Sequence, residues 1–220
     1  MEKLNKTIED KLNEGRSYRR TKEFEIREAG DDKKVVRGYA TTFLMPYELF
    51  CYRNWEGYTV HVMEQIDPAA FDNADMSDTI MQYDHQGRVF ARVSNQTLSL
   101  KTDAHGLLVE AELSGTELGR QLFEEIKGGY TNKMSFGFTV GNDVRVEERD
   151  DDKNIITVTR TITQITRLWD VSAVSLPAND ATEISARNYA DGAIAELKKE
   201  FLAAEERNKQ IKKIKILTEV

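Results

Sequence analysis

Apolar and polar residues alternate along much of the first 180 positions, and a period of two marks half-buried β-strands. "TKEFEIRE", from Thr21, puts Phe24 and Ile26 on one face. After the turn "AGDD", "KKVVRGYATTF" follows as a second strand, so the pair predicts an antiparallel hairpin. The aromatic-rich "LMPYELFCYRNWEGYTV" shows no period and is interrupted by Pro46. Beyond it "VHVMEQI" begins as a strand, and Pro68 opens a short helix over Ala69 to Phe71. "TIMQYDH" reads as a strand that delivers Asp84 and His85 to its end. "RVFARVSN", "TLSLKTDAHG" and "LLVEAELS" alternate between breaks at Asn95, Asp103 and Gly106, which predicts an antiparallel meander.

The period changes at Ser114. Ser114 with Glu117 three positions later is a capping-box pattern. Leu118, Leu122 and Ile126 form an apolar stripe, and Gly128 and Gly129 end the helix. "TNKMSFGFTV" then resumes period two, with Met134, Phe136 and Phe138 on one face and Lys133, Ser135 and Gly137 on the other. Two or three more strands follow, split by the acidic turn "ERDDDKN" and ended by Pro177; in "RLWDVSAVSL", Leu168, Asp170 and Ser172 share a face. The pattern predicts a mobile polar N-terminal segment over residues 1–20 and a mostly antiparallel β domain with one or two helices over 21–180. Residues 181–220 are expected as a linker and an amphipathic C-terminal helix. There Ile194, Leu197, Phe201, Ala204 and Ile211 recur at spacings of three and four, with Asn208 in the same series. Such a stripe suits pairing with another helix, self-association included, or docking on the chain's own domain.

Composition narrows the function. The 220 residues carry 38 acidic and 31 basic side chains, a net charge of -7, which argues against a nucleic-acid partner. No run of 18 apolar residues predicts a membrane span, and the acidic N-terminus lacks the apolar core of a signal peptide. The single cysteine, Cys51, has no intramolecular disulfide partner and fits a reducing compartment. With His61, His85 and His105 as the only histidines, no closely spaced metal motif exists, nor does a glycine-rich phosphate loop. Neither a metal nor another cofactor is expected.

A serine nucleophile needs a base to take its proton and a third group to orient that base. Ser135 lies beside Gly137, which leaves room for a substrate backbone. His85 ends a strand, and Asp170 lies among apolar residues, where a buried acid must find a partner. Each also fits a plainer role: a strand-face hydroxyl, a surface histidine, a carboxylate paired with Arg167. Lys133, on the face of Ser135, allows a serine–lysine dyad, although no apolar neighbours favour its neutral form. Cys51 with His61 is a further pair.

Taken in order, several stretches resemble the HK97-type prohead (procapsid maturation) serine protease family of tailed bacteriophages. They are "VVRGYATTF", "EQIDPAAF", "IMQYDHQGRVFARVSNQTLSL", "DAHGLLVEAELSGTELGRQLFEEIKGG", "NKMSFGFTV" and "LWDVSAVSLPAND", spanning about residues 22 to 182. The resemblance implies a closed, mostly antiparallel β-barrel with helices around it, similar to herpesvirus assembly proteases. It implies cleavage of scaffold and capsid-protein segments inside the assembling procapsid, in the bacterial host cytoplasm. By the same resemblance Ser135 is the nucleophile, His85 the general base and Asp170 the third member, where many members show Glu. The family's Asn-His-Asp reads Asp84-His85-Gln86 here, so Asp84, Glu110 and Glu112 also stand as candidates for the orienting acid. The C-terminal helix could tether the enzyme to scaffold or capsid protein and be removed by self-cleavage. Two other functions fit the residues: an inactive capsid-assembly or scaffold-like protein on the same barrel, and a generic β-barrel binding module.

Overall fold

The computed structural model describes residues 17–22, 24–29, 33–175 and 190–218. Its strands are β1 (Ser17–Lys22), β2 (Phe24–Ala29), β3 (Lys33–Thr42), β4 (Tyr47–Arg53), β5 (Thr59–Ile66), β6 (Ile80–Tyr83), β7 (Gln86–Arg92), β8 (Leu98–Thr102), β9 (Gly106–Glu112), β10 (Lys133–Asp150) and β11 (Ile155–Val174). The helices are α1 (Glu117–Lys127) and α2 (Ala190–Thr218), and a single 3-10 turn covers Pro68–Phe71. The larger sheet runs β1-β10-β11-β5-β4, with the β6–β7 hairpin set against the other end of β11; the smaller runs β2-β3-β9-β8.

The expected hairpin forms as β2 and β3, and the Pro68 turn forms where expected. The closed antiparallel barrel does not form among the described residues. The strands make two separate sheets, and β11 runs parallel to both β5 and β6. Alternation tells that one face of a strand is buried, but it carries no information about which distant strand lies alongside. The expected meander divides for the same reason: β7 pairs with β6 in one sheet, whereas β8 pairs with β9 in the other. "KMSFGFTV" and "VRVEERD" are one strand, continuous through register shifts between Gly137 and Asp143. The segment without a period contains β4, where a register shift between Glu48 and Phe50 breaks the alternation.

Side chains from both sheets and α1 meet in one core, with Phe123, Phe136, Phe138, Met81, Ile162 and Leu168 fully buried. The helix begins one residue past its true cap, Thr116, whose Oγ1 accepts from the Gly119 amide at 2.9 Å. Ser114 instead donates to Glu112 Oε1 at 2.8 Å, so no capping box forms. The buried stripe is Gly119, Leu122, Phe123 and Ile126, and Leu118 is exposed. Gly119 fits there because a Cβ would lie 2.4 Å from the Leu113 carbonyl oxygen. Gly128 caps the end and Gly129 follows with φ 75°, as the glycine pair suggests.

A second apolar cluster joins Val60, Val62, Ile156 and Val158 to Phe50, Tyr52 and Phe201. Phe201 brings α2 onto the sheet: its ring meets Phe50 edge-on at 5.9 Å, and the Arg145 guanidinium lies over it at 5.1 Å. The helix thus docks on its own domain, with Leu197 buried and Ile211 and Ile214 exposed.

Two charged groups in this region give measurable consequences. Arg160 donates to Glu64 Oε2 at 3.0 Å and to Asp143 Oδ2 at 2.7 Å, and the Tyr47 hydroxyl donates to Glu64 Oε1 at 2.6 Å. Glu64 is fully buried. Arg160→Met leaves that carboxylate without its cation, which costs about 3–5 kcal/mol when a buried pair is broken. A fall of roughly 10 °C in Tm is expected by calorimetry; an unchanged Tm would show the pair to be dispensable. Beneath α2, burial raises the Glu205 pKa, with Glu56 and Glu147 adding to the effect. Its Oε2 has no hydrogen-bond partner among the described residues. Burial and the same acids, Glu205 and Glu147, push the Tyr52 phenol up to about 12. Arg145, Arg149 and Lys212 line one cleft with these acids, and Arg149 and Lys212 pair with Glu56 at 3.8 and 2.6 Å. A carboxyl that holds its proton more tightly when folded contributes stability that is fully present below its unfolded pKa. That contribution is lost as pH rises through the raised folded value. Glu205→Gln is therefore expected to raise Tm slightly at neutral pH, the effect being damped by solvent screening, and to flatten its decline above the ordinary carboxylate range. Melting curves across pH check this, and a lowered Tm at neutral pH would contradict it.

Candidate active site

Ser135 lies in the first third of β10, buried on both sides. Across one edge it faces Ser172 on β11, and Gly137 faces Asp170. Directly opposed residues in antiparallel strands share a face. Ser135, Ser172 and Asp170 therefore project together, and Gly137 offers no side chain where the Asp170 carboxylate sits. At its C-terminal end β11 continues into a parallel pair with β6, which sets Ile80 beside Asp170 and Tyr83 beside Ala173.

That pairing fixes His85. Tyr83 on β6 faces Gln86 on β7, so Asp84 and His85 are the two central residues of a tight hairpin turn. Both have positive φ, 48° and 58°, as a turn that matches the sheet's twist requires. Asp and His are among the non-glycine residues that enter this region most readily, and bonds from outside the turn also hold it. The Asp84 amide donates to the Ala173 carbonyl at 2.9 Å. Asp84 Oδ1 accepts from the Ser175 amide at 3.0 Å, and Oδ2 from the Ser175 hydroxyl at 2.8 Å. Asp84 thereby staples the turn to the end of β11.

His85 bridges the other two groups. Its Nε2 lies 2.5 Å from Ser135 Oγ, and its Nδ1 lies 2.5 Å from Asp170 Oδ1. Ser172 Oγ donates to that same Oδ1 at 2.8 Å. The His85 and Asp170 side chains are each 4% exposed, and Ser135 is 0% exposed. In water-poor surroundings a carboxylate favours the imidazole tautomer with hydrogen on Nδ1, leaving Nε2 free to accept the serine proton. The order hydroxyl–imidazole–carboxylate is thus fully built from three strands and one turn.

The sequence profile of the caudovirus prohead serine proteases matches residues 22–195, well over half of the chain. The chain belongs to the caudovirus prohead serine protease family. No curated protein and no solved structure matches it. All four residues of the buried cluster lie inside the matched span. Among the described residues no helix is long and apolar enough to cross a membrane.

In this family member the remaining sequence candidates fall elsewhere. Asp84 contacts backbone and Ser175, not the imidazole. Glu110 is exposed on β9 opposite Arg37, and Glu112 accepts from Ser114 and meets Lys33 at 3.5 Å. Of the four acids considered, Asp170 is the one at His85. Lys133 is half-buried at the start of β10, and the side chain that reaches Ser135 Oγ is the histidine. His105 meets Tyr39 edge-on at 4.5 Å. Ser172 shares a face with Asp170 by its period-two spacing, and that spacing is the only sequence signal of its contact with the carboxylate.

Two further features adjoin this arrangement or lie apart from it. A groove of about 490 Å³ runs between the β6–β7 hairpin and α1, lined by Tyr83, Gln86, Phe90, Leu118, Gln121 and Leu122 among others. Gln86 directly follows His85, so the groove opens beside the turn. Toward the other end of β11, Cys51 faces His61 across β4 and β5, and His61 Nδ1 lies 2.5 Å from Glu48 Oε2. One donor atom from each of these three lies within 4.8 Å of the others, a set able to hold a metal ion. Linear spacing hid the cluster because strand pairing, not sequence distance, assembles it.

Proposed function

We propose that this chain is a serine endopeptidase that cleaves scaffold and capsid-protein segments during procapsid maturation. Ser135 is the nucleophile, His85 the general base and then acid, and Asp170 the orienting carboxylate. The observation that carries this reading is the continuous contact Ser135 Oγ–His85–Asp170 at 2.5 Å on each side of the imidazole. Family membership supports the reaction class.

The steps follow from the contacts. As Ser135 Oγ attacks the scissile carbonyl carbon, its proton passes to His85 Nε2, and the carbonyl oxygen becomes an oxyanion. The imidazolium so formed is stabilised by Asp170, whose charge is itself steadied by the Ser172 hydroxyl. Collapse of the tetrahedral intermediate breaks the C–N bond, and His85 gives its proton to the departing amine. Water then adds to the acyl-serine with His85 again accepting a proton, and Ser135 is regenerated. The groove beside Gln86 receives a largely apolar substrate side chain. The chain acts in the host cytoplasm within the assembling shell, and α2 is its contact with scaffold or capsid protein.

The full burial of Ser135 favours a second reading, an inactive assembly protein that keeps the fold. Prolonged treatment with a fluorophosphonate probe, followed by peptide mapping, separates the two. An adduct on Ser135 that is absent from Ser135→Ala supports the protease; reaction at other hydroxyls alone supports the assembly protein.

A further inference from the structure

A triad this well formed cannot act while its nucleophile has no path to a peptide, so an element next to Ser135 has to move. Among the described residues β10 has two hydrogen-bonded neighbours beside Ser135. On one edge lies β11, which carries Asp170 and Ser172 and supports the turn bearing His85; moving it dismantles the triad. On the other edge lies β1, which contributes no member of the triad. It pairs antiparallel with β10 from Ser17 opposite Phe138 to Lys22 opposite Lys133, with Arg20 directly across from Ser135.

We propose that the outer edge of β10, over Lys133–Phe138, is the binding edge for an extended peptide backbone, and that residues 17–22 of this chain occupy it as a displaceable strand. The ligand class is an extended peptide recognised by main-chain hydrogen bonds, added to the sheet as a strand. Chemistry supports this placement. The N–H and C=O groups of alternate β10 residues point to the β1 side. Withdrawal of β1 releases these groups at the position where a scissile backbone has to lie and where a developing oxyanion needs donors. β1 is also suited to leave. It is a six-residue strand at the end of its sheet, with only β10 beside it in that sheet. Edge segments of this kind open locally at far lower cost than the core. β1 also touches β3 of the other sheet and α2, so its withdrawal has to break those contacts as well as the β10 ladder. The need for access rests on reading Ser135 as the nucleophile; the strand exchange itself does not.

The test uses the full chain with Arg19→Pro and Arg20→Pro together. Ladder hydrogen bonds involve alternate residues, so one of two successive prolines must remove a β1 donor aimed at β10. Fluorophosphonate labelling of Ser135 is expected to accelerate at least about tenfold over the parent chain. Adding the synthetic peptide Ser-Tyr-Arg-Arg-Thr-Lys is expected to slow it again. Equal labelling rates in parent and variant, with both folded by circular dichroism, would overturn the proposal. If no form is labelled, the nucleophile reading fails, and the anisotropy of a fluorescent version of the peptide decides the strand proposal separately. Saturable binding to the proline variant, with protection of the 133–138 amides, supports it; no binding overturns it. Should the prolines unfold the chain, hydrogen exchange on the parent decides instead. Amides of 17–22 that exchange at least about tenfold faster than those of 170–174 support the proposal, and equal protection overturns it.

Discussion

Replacing either Ser135 or His85 with alanine is expected to lower turnover of an activated ester about 10⁶-fold, the scale at which serine hydrolases respond to loss of either partner. Neither group is a good catalyst alone. A neutral serine hydroxyl is a weak nucleophile until a base accepts its proton, and His85 Nε2 is the acceptor within 2.5 Å. Because the two act as a unit, the double variant Ser135→Ala/His85→Ala is expected to be no slower than either single one. A further drop would mean that the two residues contribute independently. Burial guards against misreading: Ser135→Ala removes one buried hydroxyl, so a large loss of activity with an unchanged melting curve isolates the chemical role.

Asp170→Asn is expected to cost about 10⁴-fold in turnover while leaving the fold intact, the typical penalty when the imidazole is held in the wrong tautomer. An amide in place of the carboxylate can donate to Nδ1, which leaves the hydrogen on Nε2 and nothing there to take the Ser135 proton. It also cannot stabilise the imidazolium. Ser172→Ala removes only the hydroxyl that donates to Asp170 Oδ1, so a loss of roughly tenfold is expected, the scale of one charge-assisted hydrogen bond. The size of the loss separates the two variants: roughly tenfold for Ser172→Ala against about 10⁴-fold for Asp170→Asn. If Asp170→Asn retains near-parental turnover, the acid has only a structural part.

How much of this was legible beforehand differs from residue to residue. The β2–β3 hairpin, the Pro68 turn and α1 were readable because their signals are local: alternation, a turn cluster, an apolar stripe at spacing four ended by glycines. The arrival of His85 at the end of β6 was readable in the same way. Its turn was not, because Asp-His is not one of the Asn-Gly or Asp-Gly pairs that mark such turns, and the bonds that hold it come from Ala173 and Ser175. The choice of Asp170 over Asp84, Glu110 and Glu112 depends on β11 lying parallel to β6, a pairing of segments some ninety positions apart that leaves no periodic trace. The same limit hid the two-sheet arrangement and the Glu48–Cys51–His61 cluster. Bulges concealed two more features: the shift at Glu48/Phe50 masked β4, and the shifts between Gly137 and Asp143 made one long strand read as two. Helix periodicity identified α2 but left its partner open, because a stripe of Leu197 and Phe201 suits a foreign helix as well as Phe50 of the same chain.

The most direct measurement is mass-spectrometric mapping of a fluorophosphonate adduct on the parent chain, the Arg19→Pro/Arg20→Pro chain and His85→Ala in that background. The account predicts an adduct on Ser135 in the first two, forming faster in the second, and almost none once His85 is gone. An adduct that forms equally well without the imidazole, or a Ser135 that stays unmodified in every chain, would contradict it.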